Sequence, residues 1–162
     1  MTLTPEQQQP PTVVVAVEET AASRAAIRLA AQEAGYREAP LIAVMAYGSN
    51  SALGAPAGRP LSSTHTAGDE QFAAESALHD AVVDALGEQA GQVELRTMLG
   101  QAGRNLVEVA RKANAQLLVL AGRSGTATLL GGVSQHVLRK APCPVLIVPE
   151  TGIGMSGATA DR

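Results

Sequence analysis

The sequence predicts an α/β fold in which helices cover both faces of a mostly parallel sheet of five strands. Short apolar runs alternate with helical segments along the chain, and four of the five runs lack the polar alternation of a half-exposed strand. The composition agrees, because 46% of the 162 residues are hydrophobic but only 2% are aromatic. Such a composition suits aliphatic strands packed against alanine-rich helices, and the length suits a single domain.

The five predicted strands differ in how much of their surface they bury. Four runs of aliphatic and β-branched residues are typical of strands covered on both faces: Thr12–Val17, Leu41–Ala46, Leu117–Leu120 and Val145–Val148. The fifth run, Val93–Met98, alternates apolar with polar residues. It therefore predicts a half-exposed strand near a sheet edge.

Helical segments separate these strands: Ala21–Ala34, Asp69–Gln89, Leu106–Ala113 and Val133–Lys140. The second carries an apolar stripe made of Phe72, Leu78, Val82 and Leu86. The third and fourth end in pairs of cations, which the helix dipole favours there. Strands that alternate with helices in this way predict right-handed crossovers.

The rest of the chain lacks the periodicity of packed elements. We expect residues 1–11 and 150–162 to be disordered, with one domain over 12–149 and a flexible loop at Ser49–Ala67.

No apolar run has the length of a membrane span, which predicts a soluble, cytoplasmic protein without a membrane partner. The single Cys143 can form no internal disulfide and is expected to be a buried, inert thiol. The net charge of −3 and the scarcity of aromatic residues argue against a nucleic-acid partner.

Glycines mark the candidate ligand site in the sequence. The strand Leu117–Leu120 runs into Gly122-Arg123-Ser124-Gly125, and Gly131-Gly132 opens the last helix. Glycines allow a close approach of the backbone, and the first amides of a helix have no internal acceptor, so this pattern predicts a phosphate site. The first strand ends at Glu18, whose carboxylate could accept hydrogen bonds from a sugar or a base in the same crevice.

These residues also resemble a known family. The C-terminal part of the chain closely resembles the C-terminal signature of the universal stress protein family. The matching segments are Gly122-x-x-Gly125, then Gly131-Gly132-Val133-Ser134, and finally Ala-Pro-Cys-Pro-Val-Leu-Ile-Val-Pro, which ends at Pro149. Residues 13–20 with Ser23 resemble its first strand and turn, and Leu99-Gly100-Gln101 resembles the end of its third strand. The resemblance covers residues 12–149. It implies the adenine-nucleotide alpha-hydrolase-like fold with sheet order 3-2-1-4-5, a dimer, and in many members an ATP site in the crevice.

Carried onto this chain, the resemblance implies a set of binding residues for ATP or AMP. The phosphates would lie against the glycine segment, with Glu18 near the base or ribose and Ala46 in contact with the adenine. The full set of binding residues is Glu18, Ala46, Gly122, Arg123, Gly125, Gly131, Gly132 and Val133. Mg²⁺ is expected only together with ATP. No residue pattern suggests a catalytic base or a metal ligand set, so we expect a stress-response protein that senses a nucleotide by binding and is not an enzyme.

Departures from the family pattern keep other functions open. ATP-binding members have nine residues between the second and third glycines of the motif, whereas this chain has only residues 126–130, a difference of up to about 13 Å of extended chain. Gly132 stands where those members carry a Ser or Thr hydroxyl, Glu18 where they carry Asp, and Glu19 where they carry Gly. The alternative to a nucleotide sensor is a dimeric interaction protein that binds no nucleotide. A third hypothesis is that the protein is a slow ATP hydrolase.

The final strand, Val145–Val148, points to a second copy of the chain. Every residue in it is apolar, and the sheet order of the family places it at an edge. Exposed apolar edges invite pairing, so antiparallel pairing with the same strand of a second copy would cover both. We therefore expect a homodimer formed through this strand.

Overall fold

The computed structural model describes residues 10–48, 66–122 and 131–149. Five strands and four helices alternate along it, with a short 3₁₀ helix at Gly87–Gln92 after the second helix. In chain order they are β1 (Thr12–Ala16), α1 (Ala21–Tyr36), β2 (Leu41–Tyr47), α2 (Ala67–Leu86), β3 (Glu94–Leu99), α3 (Ala102–Lys112), β4 (Ala115–Ala121), α4 (Gly132–Lys140) and β5 (Val145–Val148). The order and type of the elements match the sequence prediction.

The five strands form one sheet in the order β3-β2-β1-β4-β5, and all neighbouring strands are parallel. The predicted α/β class and the sheet order that the family resemblance implied are therefore confirmed. In the centre of the sheet, Val14 of β1 lies between Ile42 of β2 and Leu118 of β4. The order reverses at β1, so β2 and β4 leave it in opposite directions and a crevice opens beyond their carboxyl ends.

Helices cover both faces of the sheet. Alternate residues of β1 point to opposite sides: Val13 and Val15 pack with α1 and α2, whereas Val14 packs with α3 and α4. Each of these three valines is 0% exposed. Burial on both sides explains why the strand sequences lack polar alternation.

The two edge strands behave as the sequence predicted. Among the strands that the structure describes, β3 pairs only with β2, and Glu94, Leu95 and Leu99 of this strand are exposed. β5 pairs only with β4 among the described strands, and all four of its side chains are half-buried. The apolar strand therefore does lie at an edge of the sheet.

Helix α2 differs from its sequence prediction in two ways. Phe72, predicted to lie on the apolar stripe, is 74% exposed. The helix buries Ala74, Leu78 and Val82, which follow each other at intervals of four residues, and Phe72 lies two residues before Ala74, on the opposite side of the helix. The helix also begins earlier than predicted, because the Thr66 side chain caps it by accepting a hydrogen bond from Asp69 N at 3.3 Å.

The sequence predicts disorder at both ends of the chain and a flexible loop at Ser49–Ala67. Residues 1–9 and 150–162 and most of this loop lie outside the described residues. Within residues 10–48, 66–122 and 131–149, no helix combines the length and the apolar character that crossing a membrane would require.

Candidate functional site

A cleft lies beyond the carboxyl ends of β1, β2 and β4, on the side of the sheet that α3 and α4 cover. Its volume is about 590 Å³ when the solvent at its open mouth is included. The strands and α3 supply an apolar floor made of Ala16, Val44, Ala46, Leu106 and Leu120. This floor can accept a flat apolar or aromatic group, while the polar groups of the cleft lie at its ends.

The end of β1 forms one wall of the cleft. Val17 N donates to Val44 O at 2.8 Å, which extends the contact of this segment with β2 beyond the strand. Glu18 N donates to the hydroxyl of Ser23 at 2.8 Å, and Ser23 is 0% exposed. The Ser23 backbone N in turn donates to the side chain of Thr20, the N-cap of α1. Two helix-start hydrogen bonds therefore fix the backbone at Glu18, whose side chain lies exposed at the rim.

The N-terminus of α4 forms the opposite wall. Gly131 is the N-cap and gives no side-chain cap, and Gln135 N, the first amide that donates into the helix, binds Gly131 O at 3.1 Å. The amides of residues 132–134 consequently have no acceptor within the helix. Ser134 lines the cleft, is 8% exposed, and its hydroxyl makes no hydrogen bond with any described residue. This wall therefore offers several hydrogen-bond donors to an anion.

The start of α3 also borders the cleft, through Ala102. Gly100, with φ +103°, makes the turn into this helix and donates from its N to Tyr47 O at 2.9 Å. The buried side chain of Asn105 donates to Leu99 O at 3.1 Å and so ties the helix to the end of β3. A second helix N-terminus, with its partial positive charge, is thereby held beside the same cleft.

The structure brings together four of the eight site residues that the sequence singled out. Glu18, Ala46, Gly131 and Val133 all line this cleft. The crevice that the sequence predicted between the ends of the first and fourth strands is therefore present. Sequence reasoning missed Leu106, Leu120 and Ser134 as wall residues.

The other four predicted residues are placed differently. Gly122 packs against the end of β5: its N donates to Val148 O at 2.7 Å, and a Cβ on it would stand 3.3 Å from Ile147 Cγ2. Gly132, the first residue of α4, is exposed and is not itself among the lining residues, but it lies between two that are, Gly131 and Val133. Arg123 and Gly125 lie outside the described residues.

The described part of the cleft has an unusual charge pattern for a phosphate site. Neither Lys nor Arg is among the described residues that line it, whereas Glu18 lines it and Glu19 follows, exposed. Backbone amides and one hydroxyl are therefore the groups here that can bind an anion. Within the described ranges, no group of three or more His, Cys, Asp or Glu side chains is arranged to hold a metal ion.

Comparisons with known proteins agree with this geometry. The sequence model of the universal stress protein family matches residues 11–149. A structure described as a universal stress protein in complex with cAMP is 30% identical, covers 85% of this chain and 95% of its own, and has a TM-score of 0.58. Universal stress protein UspA from Lactobacillus plantarum is 22% identical, covers 86% of this chain and 98% of its own, and has a TM-score of 0.65.

A third similar structure is the universal stress protein from Archaeoglobus fulgidus in complex with dAMP. It is 20% identical, covers 87% of this chain and 99% of its own, and has a TM-score of 0.55. A search of curated protein sequences found no match. The family match spans nearly the whole described chain, and the fold, the sheet order and the cleft beside β1 and β4 agree with it. This chain belongs to the universal stress protein family.

Proposed function

We propose that this protein binds an adenine nucleotide in the cleft between β1 and β4 and contributes to a stress response through that binding. The observation that carries the proposal is the pairing of an apolar floor with the uncapped N-terminus of α4 in one cleft. A nucleotide has the matching two parts, an apolar base and an anionic phosphate. The relative of 30% identity that is described as a complex with cAMP supports the same ligand class.

The cleft residues have distinct parts in this proposal. The base lies on the floor, against Ala46 and Leu120, where desolvating its flat faces is favourable. The carboxylate of Glu18, at the rim, accepts hydrogen bonds from ribose hydroxyls or the base amine. The phosphate accepts hydrogen bonds from the first amides of α4 and from the Ser134 hydroxyl.

The charge pattern favours a nucleotide with one phosphate. The described walls supply no cation to balance several phosphate charges, and the carboxylate of Glu18 stands at the mouth. AMP or cyclic AMP is therefore the proposed ligand, and ATP is expected to bind more weakly because like charges repel. If ATP does bind, Mg²⁺ accompanies it, since the metal neutralises part of the triphosphate charge.

The test is a calorimetric titration of the purified protein with AMP, cyclic AMP and ATP, with and without Mg²⁺. Ala46→Leu would place a larger side chain on the floor and should weaken nucleotide binding by about tenfold or more. Ala73→Leu, on the exposed face of α2, is the matched control and should leave binding unchanged. Mass spectrometry of the denatured protein would identify any nucleotide that copurifies.

Failure of every nucleotide to bind would favour the second candidate function, a dimeric interaction protein without a ligand. The specific observation behind it is the absence of a hydroxyl at Gly132, together with the short segment 126–130.

We also propose that the protein acts by binding and not by turnover. Incubation with ATP and Mg²⁺ should then release no phosphate; release that is abolished by Glu18→Gln would instead indicate a hydrolase.

The proposal includes a homodimer formed through β5. This strand is apolar, half-buried and paired on one side only among the described strands. Antiparallel pairing with the same strand of a second copy would continue the sheet and cover the free edge. Sedimentation analysis should show a dimer, and Ile147→Pro, which removes a backbone donor that faces away from β4, should shift the population towards monomer. A wild-type monomer at all concentrations would contradict this part of the proposal.

A further inference from the structure

The outer side of α3 and α4 carries a groove that shares no residue with the nucleotide cleft. We call it the basic groove. Four cations line it, with Glu108 as the one carboxylate among its described walls: Arg104, Arg111, Lys112 and Lys140. The remaining described walls are Val107 and His136.

Most of the positive charge in the basic groove has no acidic partner. Lys112 Nζ donates to Glu108 Oε1 at 2.6 Å, and this hydrogen bond and the lysine charge hold the pKa of the Glu108 carboxyl below its usual value. Within the part of the chain that the structure describes, the Arg111 side chain donates to one acceptor, the backbone carbonyl Lys140 O, at 3.4 Å. Neither Arg104 nor Lys140 forms an ion pair with any described residue. The groove therefore keeps three cations that are free to pair with an incoming anion.

Helix stability alone does not explain this arrangement. Arg111, Lys112 and Lys140 lie in the last turns of their helices, where the helix dipole favours a cation. Arg104 is the third residue of α3, in the first turn, where the same dipole disfavours one. Arg104 and Arg111 are two helical turns apart, about 10.5 Å, and so lie on the same face of α3. A cation at an unfavourable position, aligned with a second one, suggests selection for an external partner.

The helices on the two faces of the sheet also differ in charge. α2, on the other face, carries five carboxylates and no Lys or Arg in its 20 residues: Asp69, Glu70, Glu75, Asp80 and Asp84. α1, on the same face as α2, adds one carboxylate and two arginines. α3 and α4 together carry five cations and one carboxylate. The net charge of −3 therefore conceals a basic face, and an anionic partner would be attracted to that face and repelled from the opposite one.

We propose that the basic groove docks an acidic segment of a partner protein, with Arg104, Arg111 and Lys140 pairing to its carboxylates. A helix with carboxylates two turns apart matches the spacing of the two arginines. A single-stranded nucleic acid fits less well, because neither Phe, Tyr nor Trp is among the described walls of the groove to stack on its bases. The proposal is independent of the nucleotide cleft.

A fluorescein-labelled helical peptide with Glu residues seven positions apart is the probe, and fluorescence anisotropy is the measurement. The full-length protein should bind it saturably, and more weakly as salt increases. The Arg104→Gln/Arg111→Gln double variant should bind it roughly tenfold more weakly. The matched control, Arg28→Gln/Arg37→Gln on the α1 side of the sheet, should bind as the wild type does, and circular dichroism would check that each variant is folded.

Three outcomes would overturn the proposal. The first is the absence of saturable binding of the peptide to the wild-type protein. The second is an equal loss of binding in the control variant, which would indicate attraction by overall charge instead of a site. The third is tighter binding of a labelled DNA oligonucleotide of the same net charge than of the peptide, which would assign the groove to nucleic acid.

Discussion

The first residue of α4 is a glycine with room for a side chain, and this makes Gly132 the most informative position for testing the cleft. A Cβ built on Gly132 would meet no heavy atom within 4 Å, apart from its immediate neighbours. Gly132→Ser would therefore add a hydroxyl beside the uncapped amides of α4 without a steric cost. A hydrogen bond to a charged group contributes about 1.5–3 kcal/mol, so AMP should bind about 10- to 100-fold more tightly to this variant.

The assay is isothermal titration calorimetry of the wild type, Gly132→Ser and Gly132→Ala with AMP and with adenosine. The alanine variant has the same backbone constraint without the hydroxyl, so its affinity for AMP should equal that of the wild type. Adenosine has no phosphate, so its affinity should be the same for all three proteins. If serine and alanine have equal effects, or if serine strengthens adenosine binding as much as AMP binding, the phosphate does not lie at the start of α4.

Three further predictions concern stability and reactivity. Gly122→Ala should lower the free energy of unfolding in urea by about 1–3 kcal/mol, because the new Cβ would stand 3.3 Å from both a side chain and a carbonyl of β5. The control, Gly132→Ala, should stay within about 0.5 kcal/mol of the wild type. Equal losses in the two variants would contradict the packing of Gly122 against β5. Leu118→Ala removes a side chain that is 0% exposed and should cost about 2–5 kcal/mol, whereas Leu138→Ala, at a position 46% exposed, should cost clearly less. Burial raises the pKa of the Cys143 thiol, so its alkylation by iodoacetamide should reach half of its maximal rate at a higher pH than that of a cysteine in a short peptide; an equal or lower pH would contradict this effect of burial.

The strands could be predicted because burial on both faces leaves a direct trace in sequence. The internal strands are apolar except for Thr12 at the start of β1 and Gln116 near the start of β4, whereas the sequence of β3, at an edge, shows the alternation that exposure allows. Helix boundaries were less predictable. The sequence predicts the start of α3 at Leu106, four residues late, because the apolar positions that mark the helix begin there, whereas the first turn, from Ala102, carries no such pattern. In the structure a Cβ at Gly103 would stand 3.2 Å from His136, so the glycine allows α4 to pack closely against α3.

The candidate site was predictable only where topology decides it. The carboxyl ends of parallel strands share one edge of the sheet, so Glu18 and the glycine segment could be expected to meet there. Ser134 carried no such signal, because a serine on a helix is usually solvated and only the packing of α4 shows it buried in the cleft wall. Gly122 was predicted to bind a phosphate, but in the structure it packs against β5, which leaves little room for a side chain there.

The position of β1 in the centre of the sheet has a consequence for how the chain folds during synthesis. β2 follows β1 closely along the chain, but the other neighbour, β4, comes much later: the hydrogen bond from Thr12 Oγ1 to Ala113 O joins residues 101 positions apart. Until residues 115–121 leave the ribosome, one side of the largely aliphatic β1 has no backbone partner, and closing so long a loop is slow. The nascent chain is therefore most exposed to aggregation before β4 emerges, and a translational pause after β4 would protect it better than a pause before β4.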